Sequence, residues 1–251
     1  MKKVHLRFYE ELNDFLPEEK KKVRFEHFFT GRVSVKDMIE SLGVPHTEID
    51  LILVNETSVG FDYIVNDNDI ISIYPEFESL DISNLQHLHS KPLRSPKFVV
   101  DVHLGKLARY LRMLGFDCIY KNAYNNFEII DISLKEKRTI LTKDRSILKN
   151  KMVTHGYWVR NDKPERQTIE VINRFDLKKL TKEFSRCLDC NNVLIEEKKE
   201  NISDKIPPKV KNYHNEFYRC TSCKKIYWRG SHYERMQKLV DKIKTGDLKS
   251  L

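Results

Sequence analysis

The chain has 251 residues, enough for two or three domains with separate cores, and its 40% hydrophobic and 33% charged residues are those of a globular protein. No apolar run approaches the roughly 20 residues of a membrane span, and no apolar signal core follows Met1-Lys2-Lys3-Val4-His5, so a cytoplasmic protein without membrane contact is expected. The net charge of +8 is uneven: residues 1–79 hold 9 basic and 16 acidic side chains, a net −7, whereas residues 205–251 hold 12 basic and 4 acidic, a net +8 that suits a polyanionic partner.

The alternating run Val4-His5-Leu6-Arg7-Phe8 predicts a first strand, and Lys22-Val23-Arg24-Phe25 a second. Ser34 with Asp37 three residues on resembles a capping box. Val35, Met38, Ile39 and Leu42 then recur at helical spacing until Gly43 and Pro45 stop the helix. Strands resume at Leu51-Ile52-Leu53-Val54 and Ile70-Ile71-Ser72-Ile73-Tyr74. This order is that of a β-grasp over residues 1–79, and it resembles the ubiquitin-like, sulfur-carrier type of that fold. A carrier ends in a free Gly-Gly tail, whereas Pro75-Glu76-Phe77 runs on into more chain, so a domain that binds a protein partner or regulates is expected.

Residues 80–96, with Ser90, Pro92, Ser95 and Pro96, read as a linker. From residue 97 to 182, strands alternate with helices. Strands are predicted at Phe98–Val102, Phe116–Tyr120, Arg138–Thr142 and Gly156–Arg160. Helices are predicted over Leu104–Leu114, over Asn126–Glu136, and after Asp162, Pro164 and Glu165. Alternation of this kind implies an α/β domain whose parallel sheet has flanking helices.

In such a sheet ligands bind beyond the carboxyl ends of the strands, and the residues expected there are mostly acidic: Asp101, Glu128, Asp144 and Asp162. Converging carboxylates repel one another unless a cation neutralises them, and hard oxygen donors suit Mg²⁺ or Mn²⁺, with Asp101 and Asp144 as metal ligands. Each acid also has a plain structural use. Asp144 and Asp162 can cap the helices that follow, and Glu128 can complete a capping box with Asn125. Asp101 is the exception, because an unpaired charge is costly in an apolar strand. Lys106, Arg109 and Arg112 fall on the helix side away from the leucines, where they can meet phosphates or simply face solvent.

Residues 183–240 carry Cys187-Leu188-Asp189-Cys190 and Cys220-Thr221-Ser222-Cys223, two CxxC knuckles that predict a zinc ribbon. Four sulfur ligands close the coordination shell, so the zinc would be structural. Cys118, inside an apolar strand, reads as a small buried residue. In Tyr227-Trp228-Arg229-Gly230-Ser231-His232, Trp228 suits packing, while Arg229 and His232 are candidates for RNA contact. Residues 241–251 are left as a tail.

Taken in order, Phe98-Val99-Val100-Asp101-Val102-His103-Leu104-Gly105-Lys106-Leu107-Ala108-Arg109, Leu141-Thr142-Lys143-Asp144-Arg145, the two knuckles and Tyr227-Trp228-Arg229-Gly230-Ser231-His232 resemble the Mut-seven carboxy-terminal RNase domain family. That family has a PIN-like nuclease fold with a fused zinc ribbon, often behind a ubiquitin-like domain. The resemblance implies metal-dependent cleavage of RNA, expected to be single-stranded, by an endonuclease using Asp101 and Asp144. Similar sequences tend to open the second helix with an aspartate where this chain has Asn126, so that either Glu128 supplies that carboxylate, with Asp162 and Asn126 in outer roles, or the site is weakened. A non-catalytic RNA-binding adaptor with a degraded PIN fold is the competing expectation.

Overall fold

The structure, a computed structural model, describes residues 1–75 and 96–246. Its contacts separate two units among these residues: 1–75 with 144–158, and 96–143 with 159–246. Most of the expected linker at 80–96, and residues 247–251 of the expected tail, lie outside the described residues.

The first unit opens with β1 (Lys2–Phe8), whose alternating Val4, Leu6 and Phe8 turn into the core. It continues with β2 (Phe25–Phe29), α1 (Val35–Ser41), β3 (Leu51–Val54), β4 (Thr57–Ser58) and β5 (Ile70–Tyr74). The five strands form one sheet in the order β2-β1-β5-β3-β4, with β1 and β5 parallel at its centre and α1 burying Val35, Met38 and Ile39. The predicted capping box is half realised. The Ser34 side chain accepts from the Asp37 N–H, which starts the helix. The second strand lies later than its sequence indicates. Lys22 instead adopts a left-handed backbone with φ 57°, and its N–H is held by Asn13 Oδ1 at 2.7 Å. Register then decides the strand, since antiparallel pairing with β1 runs from Phe25↔Leu6 to Phe29↔Lys2.

In the second unit β6 (Lys97–Val100), α2 (Gly105–Met113), β7 (Asp117–Ile119), α3 (Asn126–Glu136) and β8 (Thr139–Thr142) follow in turn. β6 pairs in parallel with both β7 and β8, so the predicted parallel arrangement is present. Phe98, Val99 and Val100 are fully buried, as expected of a strand covered on both faces. α2 turns Leu107, Ala108 and Leu111 inward. α3 starts where the sequence places it, on a capping box in which Asn125 and Glu128 each bond the other's backbone N–H.

The next two elements, α4 (Arg145–Leu148) and β9 (Gly156–Trp158), belong to the first unit. There the Trp158 N–H donates to Glu48 Oε1 at 2.6 Å and His46 Nε2 donates to the Val153 carbonyl at 2.8 Å. The Arg145 guanidinium stacks 3.7 Å above the Trp158 ring and also faces Phe15.

The chain returns to the second unit with α5 (Pro164–Arg174), whose N-cap is Lys163 and not the expected Asp162. A three-stranded antiparallel ribbon, β10 (Leu194–Glu197), β11 (Phe217–Cys220) and β12 (Ile226–Trp228), comes next, with α6 (Pro208–Tyr213) between its first two strands. Phe217 packs with Ile202 and Ile206, and Trp228 leans on the same cluster, as its expected packing role requires. The last helix, α7 (Ser231–Thr245), runs into the stretch predicted as tail. No helix of the described residues is long and apolar enough to cross a membrane.

Gly115 joins α2 to the segment before the ribbon. Its φ is 93°, and a Cβ there would lie 2.2 Å from the Lys182 carbonyl oxygen. Only glycine meets both conditions. The close approach allows Lys182 N–H to bond the Leu114 carbonyl and Phe184 N–H the Met113 carbonyl.

Candidate functional site

Asp101 lies just after β6, as the N-cap of a single 3-10 turn, and is 3% exposed. Its burial is compensated in full. Oδ1 accepts the His103 N–H at 2.8 Å, and Oδ2 accepts the Lys143 N–H at 2.7 Å and the Thr142 hydroxyl. A carboxylate held by three donors from two segments cannot swing, so the strand ends fix its direction. Sequence patterns assign no role to Thr142 or Lys143. The only hint they offer is their place at the end of a strand.

Lys143 also organises the start of the neighbouring loop. Its Nζ donates to the Arg160 carbonyl at 2.8 Å and to Asp162 Oδ1 at 2.7 Å. Asp162 is 96% exposed and is neither a cap nor buried. The hydrogen bond and charge of Lys143 hold its carboxyl below the usual carboxylate range. Asp144 caps α4 by accepting the Ser146 N–H at 2.8 Å, and Glu128 is committed at one oxygen to the Asn125 N–H. Asn126 and Glu128 are exposed at the start of α3, with Phe127 between them also exposed. Among the described residues, the four knuckle cysteines form a set of metal-ligating side chains that converge.

The three cations of α2 separate. Lys106 and Arg109 are exposed, with Arg109 Nη1 3.4 Å from Asp189 Oδ1. Arg112 corrects the expectation of a solvent-facing or phosphate-binding stripe: it is 4% exposed and donates to the carbonyls of Cys118 at 2.8 Å, Leu188 at 3.0 Å and Asp189 at 2.8 Å. Its planar fork suits three fixed acceptors, which Nε and Nη1 meet. Asn191 completes the junction. Its backbone is left-handed at φ 72°, its Oδ1 accepts the Cys118 N–H at 2.9 Å and its Nδ2 donates to Asp117 Oδ1 at 2.8 Å.

Cys187, Cys190, Cys220 and Cys223 bring their sulfurs within 4.8 Å of one another. Cys187 to Cys223 is 3.6 Å and Cys190 to Cys220 is 3.3 Å. Sulfurs about 2.3 Å from a tetrahedral zinc stand about 3.8 Å apart, so the cluster fits such an ion with little adjustment. The thiols oppose one another's ionisation. Burial disfavours the Cys190 thiolate, but bonds from the Asn192 backbone and the neighbouring thiols bring it down to about 6. At Cys223 a bond from the Lys225 backbone favours the thiolate, but burial and the three other sulfurs push it up to about 12. A divalent cation would relieve that opposition. The Tyr227 hydroxyl lies 3.1 Å from Cys187 Sγ and accepts the Leu188 N–H at 3.3 Å, bracing the first knuckle. Arg229 and His232 are both exposed at the start of α7, where Arg229 lies over the Tyr233 ring.

A family model described as Mut7-C RNAse domain matches residues 96–240, and one described as Mut7-C ubiquitin matches residues 1–81. No curated protein and no solved structure matches the chain.

Proposed function

The chain belongs to the Mut7-C RNAse domain family, and from that premise we propose that it is a metal-dependent endoribonuclease acting on single-stranded RNA in the cytoplasm. The observation that carries the reading is Asp101. A carboxylate anchored by three donors at the carboxyl end of the central parallel strand is placed where a hard-cation site is expected.

Asp101 and Asp144 would hold Mg²⁺ or Mn²⁺, with Glu128 as a further oxygen donor and Asp162 and Asn126 in outer positions. Magnesium commonly binds through one or two carboxylates, its own waters and substrate phosphates, so a closed cage of acids is not needed. When bound, the ion would lower the pKa of a coordinated water and neutralise charge on the phosphodiester. Lys143 holds Asp162 by ion pair and Asp101 through its backbone N–H. Lys106 and Arg109, exposed on α2, would meet backbone phosphates, as would Arg229 and His232 at the ribbon. Zinc held by Cys187, Cys190, Cys220 and Cys223 would be structural, because four sulfurs leave no open coordination position. The ubiquitin-like domain would offer a surface to a protein partner.

The test is to incubate the protein with labelled single-stranded RNA and Mg²⁺ or Mn²⁺, alongside Asp101→Asn and Asp144→Asn. Internal cleavage by the parent and its loss in both variants is expected. A non-catalytic RNA-binding adaptor is the second reading, favoured by Asn126 standing where similar sequences carry an aspartate. It predicts no product from the parent and RNA affinity that Asp101→Asn leaves unchanged or raises.

A further inference from the structure

Beside the cysteine cluster, a cleft of about 440 Å³ opens between the ribbon and α7, with Phe184, Tyr218, Tyr227, Arg229, Tyr233 and Met236 among its walls. Strand alternation builds one wall. Tyr218 pairs directly with Tyr227 across β11 and β12, and Arg229 follows Tyr227 by two residues. The partner pair Phe217 and Trp228 packs with the Ile202 and Ile206 cluster, and Trp228 also borders the cleft. Helical spacing builds another wall, since Tyr233 and Met236 are three residues apart on α7. The Phe184 ring lies 4.6 Å from that of Tyr233 and tilts by 46°. Phe184 itself sits at φ 54°, a backbone conformation costly for a bulky residue.

We propose that this cleft receives one unpaired nucleobase of an RNA strand, stacked on the tyrosines, with Arg229 meeting the adjoining phosphate. The inference rests on the ribonuclease reading for the identity of the polymer. Its volume lies in the range of sites for small, flat ligands. Aromatic rings offer faces on which any base can stack, and their phenol edges suit a ligand polar at its rim. Tyr227 is a rigid platform because its hydroxyl is engaged by the first knuckle. The Arg229 side chain is 58% exposed and 5.8 Å from the Tyr233 centroid, so it is within reach of solvent-borne phosphate. Its ion pair with the exposed Glu216 at 3.4 Å is long and easily exchanged. The surrounding sequence agrees in sign, since residues 205–251 carry 12 basic and 4 acidic side chains.

The experiment uses the full-length, zinc-loaded protein without added Mg²⁺ or Mn²⁺ and follows a short fluorescent single-stranded RNA by anisotropy. Tyr218→Ala should weaken binding about tenfold, the usual effect of losing one stacking platform, whereas Tyr218→Phe should bind like the parent. Replacing a single base by an abasic ribose should cost the parent a similar factor and cost Tyr218→Ala almost nothing more. Should Tyr218→Ala lose zinc, Tyr218→Leu keeps the bulk without the aromatic face and should show the same tenfold loss. Equal affinity of Tyr218→Leu and the parent, or additive losses with the abasic strand, would overturn the proposal and leave the cleft to a protein partner. Displacement by free adenosine monophosphate as effective as by RNA would also overturn it, in favour of a mononucleotide site. Cleavage is read separately with Mn²⁺. A parent that never cuts but depends on Tyr218 for binding refutes the nuclease reading alone, and one that cuts while Tyr218 is irrelevant refutes the cleft alone.

Discussion

The guanidinium of Arg112, on α2, donates to the main-chain carbonyl of Asp189 at 2.8 Å, midway through the first CxxC knuckle. A second bond, to Leu188 at 3.0 Å, makes this buried side chain a clamp between the helix-covered parallel sheet and the cysteine cluster.

Arg112→Met should therefore cost about 3 kcal/mol in urea denaturation, since charged hydrogen bonds are lost and buried carbonyls are left unpaired. The same variant should surrender zinc to a chelator faster than the parent. Unchanged stability and zinc release would mean that the knuckle is held by its own ribbon alone.

Asp117 makes the junction pH-sensitive. Burial raises its carboxyl, but hydrogen bonds from Arg138 at 2.6 Å and Asn191 at 2.8 Å, with the charges of Arg138 and Arg186, outweigh this and hold it below the ordinary value. A carboxyl depressed in the folded state stabilises fully above its unfolded pKa, about 3.9, and that contribution fades as pH falls from there through the folded value. Acid titration of stability should be steeper for the parent than for Asp117→Asn below about pH 4. Parallel curves would remove Asp117 from this role.

Gly115→Ala and Gly31→Ala separate backbone strain from collision. Both glycines have positive φ, 93° and 76°, but only at Gly115 would a Cβ strike another backbone. Gly31→Ala should cost about 1 kcal/mol and Gly115→Ala clearly more, about 3 kcal/mol, by thermal or urea unfolding. Equal effects would show that the segment around Lys182 yields freely.

Glu48→Ala tests how the stretch after Asp144 is held. The Glu48 carboxylate is buried and receives the Trp158 N–H at 2.6 Å, so its removal should destabilise the first unit by about 2 kcal/mol. If Asp144 is a metal ligand, RNA cleavage should fall as well, with RNA affinity preserved. Full cleavage by a measurably destabilised variant would count against a role for Asp144.

Local chemistry was readable from the sequence where cause and effect sit close together. The capping residues Asn125 and Glu128 announce α3, and the doubled CxxC spacing announces the cysteine cluster. Asp101 stood out as an acid at the end of an apolar run, yet two of its three donors come from residues more than 40 positions later, which no window could reveal. Arg112 looked like its neighbours Lys106 and Arg109 because helical spacing reports a face and not what will cover it; the covering carbonyls lie 76 and 77 residues away. Lys163 displaced Asp162 as the cap because Pro164 fixes the first turn. The attachment of Asp144–Trp158 to the N-terminal unit depends on Glu48 and His46, over 100 residues upstream, and left no local mark.

The fifth cysteine has a practical use. Cys118 is fully enclosed and its thiol is pushed up to about 12 by burial, so alkylating dyes have neither access nor a thiolate to attack. Labelling of the native protein would then count only sulfurs freed from the knuckles, which turns a simple dye titration into a gauge of ion occupancy.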